Sequence, residues 1–147
     1  SATTECQKLR DSEKEELEAS VNKEVIQSEK LFPAQGPHSN AVRAGNFLFI
    51  AGQGSRDLEG RIIGPGDPVA QAEQVLKNIG ALLEAAGATF DDLVMLRVYV
   101  TDMRCREALG KVRRQFMRDP FPASTTVQVA ALALPEQLVM MEAIAVV

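Results

Sequence analysis

An α+β fold, one sheet with two helices packed on a single face, is predicted by three features of the sequence. Apolar residues make up 46% of the 147-residue chain but aromatics only 5%, so the core has to be aliphatic. Strand and helix patterns follow in the order strand, strand, strand, helix, strand, helix, strand, strand. The later strands at 94–100 and 138–147 are apolar at odd and even positions alike, so both faces of the sheet call for burial. The length suits one domain around one core.

Residues 1–21 read as a peripheral N-terminal extension and 22–147 as a single domain. Ser12 and Glu15 have capping-box spacing, and Glu13 to Ala19 suits a short exposed helix with too few apolar residues for a core of its own. Glu24 to Gln27 reads as a short strand, ended by Phe32-Pro33 and then Gly36-Pro37. Phe47 to Gly52 is a short apolar run after Gly45-Asn46, the pattern of a buried strand. Gly60, Gly64, Pro65, Gly66 and Pro68 mark a loop. Asp67 then caps a helix with Pro68 in its first turn. Val69, Ala72, Leu76, Ile79, Leu83 and Ala86 form its buried stripe, and Gly87 stops it. Asp92 to Val100 is a strand. Thr101 or Asp102 caps a second helix, with Cys105, Ala108, Leu109, Val112 and Phe116 along one face and Pro120 and Pro122 beyond its end. Ser124 to Ala130 and Leu138 to Val147 complete the strands, joined by a turn around Pro135. Two helices cover one face only, so the other must meet a further partner, and a second copy of the chain is the simplest. A homo-oligomer follows.

Sixteen basic and twenty acidic residues give a net charge of −4, which argues against broad binding to nucleic-acid phosphates. The first thirty residues hold eight acids and five bases, so the remainder is nearly neutral. Sparse aromatics argue against a base-stacking platform, and a single histidine against a His-rich metal site. Cys6 and Cys105 form no CxxC or zinc spacing and read as reduced, structural thiols, which suits a cytoplasmic protein. The polar, acidic amino end shows no signal peptide, and Glu142 interrupts the longest aliphatic stretch, so no membrane span is expected.

Charges inside strands are the first candidates for chemistry. Arg97 and Glu142 each stand alone in an apolar strand, and a desolvated charge needs a partner. The two are expected to pair, within one chain or across a subunit boundary, and a Glu142 so held would lose the freedom of a base. Ser124, Thr126 and Gln128 alternate on one face of their strand, where they either orient a small polar ligand or line a solvated edge. His38 follows Gly36-Pro37 in a loop open to a ligand. Gly52-Gln53-Gly54 is not followed by a helix, so it is no phosphate loop. Arg104, Arg106, Lys111, Arg113, Arg114 and Arg118 cluster on the second helix and its ends, as a solvated face or an RNA-facing one.

Several motifs in order resemble the Rid (YjgF) family of reactive-intermediate enamine/imine deaminases. They are Gly36-Pro37-His38, Phe47 through Gln53, Asn78-Ile79, Glu84-Ala85-Ala86-Gly87, Val98-Tyr99-Val100-Thr101-Asp102, Phe121-Pro122-Ala123-Ser124-Thr125-Thr126 and Met141-Glu142-Ala143-Ile144-Ala145-Val146. The similarity covers about residues 23–147. It implies a chorismate-mutase-like mixed sheet, a homotrimer whose three sheets pack together, and a small-molecule pocket at each subunit interface. It implies no metal and no cofactor. Family deaminases hydrolyse 2-imino or 2-enamino acids to 2-keto acids and ammonia, with an arginine forking the substrate carboxylate. The resemblance puts ligand contacts at His38, Ala51, Gly52, Gln53, Tyr99, Ser124 and Met140, and chemistry at Thr126 and Glu142. The chain departs from the pattern at the positions that matter most. Ser124 stands where the family has its arginine, Thr126 where a cysteine is frequent, His38 for a tyrosine, Ala51 for a serine and Met140 for the water-linked glutamate. The chain thus resembles a branch without the arginine. Hydrolysis of a non-standard imine or related metabolite is the expectation, with a non-catalytic ligand-binding or regulatory trimer and an endoribonuclease or translation inhibitor as alternatives.

Overall fold

The computed structural model describes residues 2–20 and 22–147, with the backbone alone for 17–20. Its helices are α1 (Ala2–Ser20), α2 (Pro68–Ala85) and α3 (Arg106–Phe116). Its strands are β1 (Lys23–Ile26), β2 (Ala41–Ala44), β3 (Phe47–Gln53), β4 (Leu93–Val100), β5 (Ala123–Gln128) and β6 (Val139–Val146). They form one sheet in the order β1-β2-β3-β6-β4-β5, in which β4 and β5 run parallel and every other pair antiparallel. The expected α+β mixed sheet is therefore present, with α2 and α3 together on one side.

Local chemistry explains most of the elements. β2, the leading strand whose limits the pattern does not mark, joins β3 through Gly45-Asn46, with Gly45 at φ 58°. The Asp67 carboxylate accepts the Val69 and Ala70 N–H groups at 3.1 Å each, so the predicted cap of α2 is present. Gly87 follows the helix at φ 75°. Asp102 instead caps a 3₁₀ turn, Met103–Cys105, and α3 begins only at Arg106. The 3₁₀ turn takes up the residues read as the first turn of that helix. α1 also differs from expectation. It starts at Ala2, so Ser12 lies inside the helix rather than at its cap, and residues 2–16 are all exposed. Cys6 is exposed on it and is not a core thiol, whereas half-buried Cys105 donates its S–H to the Asp102 carbonyl at 3.0 Å. Val21, the expected end of the extension, and Ser1 lie outside the described residues. Among the described residues no helix is long and apolar enough to cross a membrane.

The core lies between the sheet and the two helices. Leu48, Leu96, Val98, Val100, Val139 and Met141 meet Val75, Leu76, Ile79, Leu82 and Leu83 of α2, all of them essentially inaccessible. Each such side chain contributes about 1.5–3 kcal/mol of transfer free energy. The buried stripe of α2 is broader than the 3.6-residue pattern suggests, and Val69 and Ala86 are only half-buried. β3 is buried on one face only: Leu48 and Ile50 face the helices while Phe47 and Phe49 are exposed. Register carries that open face across the sheet. Val25, Val42, Phe49 and Ile144 lie side by side on it, and so do Phe47 and Val146. Val25, Phe47, Phe49, Val127 and Val146 are exposed there.

One buried amide ties the helix layer to the sheet. Gln71 Nε2 donates to the Gly64 and Glu136 carbonyls at 3.1 and 2.8 Å, and its Oε1 accepts the Leu138 N–H at 2.8 Å. The residue is fully buried, so no water can replace a lost bond. Gln71→Leu leaves those backbone groups unpaired and should destabilise the chain by at least about 2 kcal/mol. An unchanged urea midpoint for this variant would contradict that role.

Candidate functional site

Three polar clusters hold the residues singled out from the sequence. The first is a cleft of about 310 Å³ that brings His38, Gly52, Gln53 and Met140 together with Phe32, Asn40, Arg56, Asn78 and Gln137. His38 enters from a turn closed by its own N–H on the Gly36 carbonyl at 2.9 Å, with Gly36 at φ 100°. Asn40 holds the loop in place: its Nδ2 donates to the Phe32 carbonyl and its carbonyl accepts the Ala51 N–H. The two wall glycines leave room for neighbouring side chains: a Cβ on Gly52 would lie 2.6 Å from Met140 Sδ and one on Gly54 would displace the Gln137 amide. Asn78, in the buried face of α2, donates to the Gly54 and Arg56 carbonyls at 3.1 Å each and so fastens the wall to the helix. Arg56 stacks over the Phe32 ring at 5.8 Å. Ala51 does not line this cleft. It sits on the open sheet face, with its carbonyl accepting from Gln53 Nε2 at 3.1 Å.

The second cluster lies in the middle of the open face. Arg97 and Glu142 are direct partners across β4 and β6, as are Tyr99 and Met140. Arg97 Nη1 reaches Glu142 Oε1 at 3.4 Å, so the expected ion pair forms within one chain. Tyr99 Oη donates to the same oxygen at 2.5 Å, a bond that stabilises the neutral phenol and holds its pKa above the usual tyrosine value. Glu142 Oε1 thus has two donors on it. Tyr99 and Glu142 are not in the His38 cleft.

The third cluster lies on the other side of the sheet edge. β5 pairs in register with β4, Ser124 beside Leu96 and Thr126 beside Val98, so both hydroxyls share the helix-covered face. They line a cleft of about 550 Å³ with Met103, Leu109, Arg106 and Arg113. Arg113 Nη2 donates to Ser124 Oγ at 2.7 Å, and Gln128 Oε1 accepts the Met103 N–H at 2.8 Å. Two of the three residues in the polar row, Ser124 and Gln128, are thus bonded to the α3 layer from an exposed edge. Five of the six basic residues of this region, Arg104, Arg106, Lys111, Arg114 and Arg118, are exposed as a solvated face requires, and Arg113 alone is half-buried. Arg104 is paired with Asp102 and Arg118 with Asp91, each at 2.6 Å. Nothing in the sequence pattern singles out Arg56 or Gln137, and Arg113 stands there only as one of the basic cluster. Arg113 is one turn beyond Leu109 and two beyond Arg106, a spacing that marks the border of the buried stripe.

A single chain thus unites His38, Gly52, Gln53 and Met140, and separately Ser124 and Thr126, and separately Tyr99 and Glu142. Comparison with known proteins places this arrangement. A family model described as endoribonuclease L-PSP matches residues 28–147. A RutC family protein of Pyrococcus horikoshii is 42% identical over 84% of this chain and 97% of its own length. The mouse protein named 2-iminobutanoate/2-iminopropanoate deaminase is 35% identical over 87% of this chain and 94% of its own. The crystal structure of RidA from an Antarctic Psychrobacter superposes with a TM-score of 0.79 at 38% identity, covering 84% of this chain and 99% of that one. On its sequence, its sheet and these relatives, the chain belongs to the Rid (YjgF) family.

Proposed function

We propose that the protein is a hydrolytic deaminase of a small imine or enamine-type metabolite, working as a homotrimer with a pocket between subunits. The observation that carries this reading is the division of the polar residues between two clefts on a chain whose open sheet face is apolar. A neighbouring copy laid on that face covers Phe47, Phe49 and Val146 and brings the Ser124 edge of one chain towards the His38 cleft of the next. Such a head-to-tail contact, repeated about a threefold axis, makes the closed ring of the proposed trimer. The deaminase relatives support the chemistry. Water adds to the carbon of the C=N bond, the carbinolamine then expels ammonia, and a carbonyl compound remains. His38, Gln53 and Asn40 supply polar groups that orient the imine and the water, and Thr126 comes from the neighbouring edge. Glu142 holds Arg97 and Tyr99 through Oε1, and its second carboxylate oxygen keeps the free lone pairs that a base needs.

A second reading, a ligand-binding trimer without turnover, is favoured by Met140, whose thioether cannot activate water in place of a carboxylate.

Two measurements test these statements. Light scattering should give about 48 kDa, three times the 16.0 kDa chain, and Phe49→Glu should shift it towards the monomer. A monomeric wild type would end the trimer reading. In a coupled assay with a dehydratase that releases 2-aminoacrylate, the protein should accelerate keto-acid formation over buffer. Binding of the keto acid without acceleration would favour the second reading.

A further inference from the structure

We infer that Arg113 of α3 supplies, from the helix side, the guanidinium grip that Ser124 cannot, and that the α3–β5 cleft is a subsite for the carboxylate of a small acid. The inference deepens the deaminase reading and rests on it for the rest of the ligand. Arg113 is half-buried, and among the described residues its one hydrogen bond is to Ser124 Oγ. It has no carboxylate there, whereas Arg104 and Arg118 beside it each hold one at 2.6 Å. Arg106 also lines the cleft without an ion pair among the described residues. Desolvation pulls the Arg113 pKa below the usual guanidinium value, the mark of a cation withdrawn from water without a counter-charge. A partly desolvated cation with only a neutral hydroxyl as partner attracts an anion more strongly than a fully hydrated one.

The surroundings suit a small carboxylate. Guanidinium N–H groups not bonded to Ser124 can fork its two oxygens, and the Ser124 and Thr126 hydroxyls can donate to the remaining lone pairs. Val98 and Leu109 give the cleft an apolar floor, so a short hydrocarbon chain attached to the carboxylate has contact surface. Its volume of about 550 Å³ accepts a metabolite of a few carbons. Ser124 is small enough to leave room for the incoming Arg113 head, so the loss of an arginine on the strand and the inward turn of one on the helix compensate each other.

The test is calorimetric titration of the full chain with 2-oxobutanoate, its uncharged carboxamide and inorganic phosphate. Wild type should bind the acid about 10- to 100-fold more tightly than the amide, and Arg113→Gln should lose that margin. Arg113→Lys, which keeps the charge without the fork, should fall between them, and it serves as the test if Arg113→Gln melts early. Lys111→Gln, an exposed change on the same helix, should stay within about twofold. Acid binding unchanged in Arg113→Gln, no acid binding by wild type, or tighter Arg113-dependent binding of phosphate would each overturn the assignment. Keto-acid release separates this inference from the deaminase reading. Arg113-dependent acid binding without turnover removes only the deaminase, whereas turnover with an unchanged KM in Arg113→Gln removes only the carboxylate subsite.

Discussion

Everything in this molecule follows from a sheet that is apolar on two faces and has helices for only one. α2 and α3 seal the side of Leu48, Leu96, Val98 and Met141, which closes a core around one layer of helices. The same strands then present Val25, Phe49, Phe47 and Val146 outward, because side chains alternate along every strand and register carries the alternation across the sheet. At about 25 cal/mol per Å² of apolar surface removed from water, covering that face is a strong driving force for association.

The Arg97–Glu142–Tyr99 cluster belongs to the same constraint. β4 and β6 are paired in antiparallel register, so two charges that stand alone in sequence are direct cross-strand neighbours. In the isolated chain the pair is more than a third exposed on the arginine side and is worth no more than about 1 kcal/mol. Covered by another copy, it would be far more costly to break than to keep, because removing either partner strands a buried charge. The Tyr99 hydroxyl leaves fewer carboxylate lone pairs in need of water. A cluster built this way ties β4 to β6 across the open face.

Periodicity and punctuation carried much of the fold. Asp67-Pro68 and Gly87 bracket α2 because a cap and a left-handed stop are local events that few residues decide. β2 had no comparable signal, since Ala41–Ala44 is short and its hydrogen bonds come from β1 and β3. The start of α3 was misplaced because Asp102 satisfies the same donors in a 3₁₀ turn as in an α-helix. Of the candidate site, the Arg97–Glu142 pair was legible from chemistry alone, since each was the one charge in an apolar strand. The role of Arg113 was not, because a basic residue at the border of an amphipathic helix looks like surface until a strand is placed beside it.

The sequence alone determined the α+β class, the family and the demand for burial on both faces, since each depends on residue types and their spacing along the chain. Only the tertiary structure decided that His38, Gly52, Gln53 and Met140 share one cleft while Ser124 and Thr126 share another. Strand order and parallel pairing bring together residues up to about a hundred positions apart, and which face of an edge strand meets a helix is set by packing rather than by local preference. The same packing turned Arg113 inward and put its guanidinium beside the Ser124 hydroxyl.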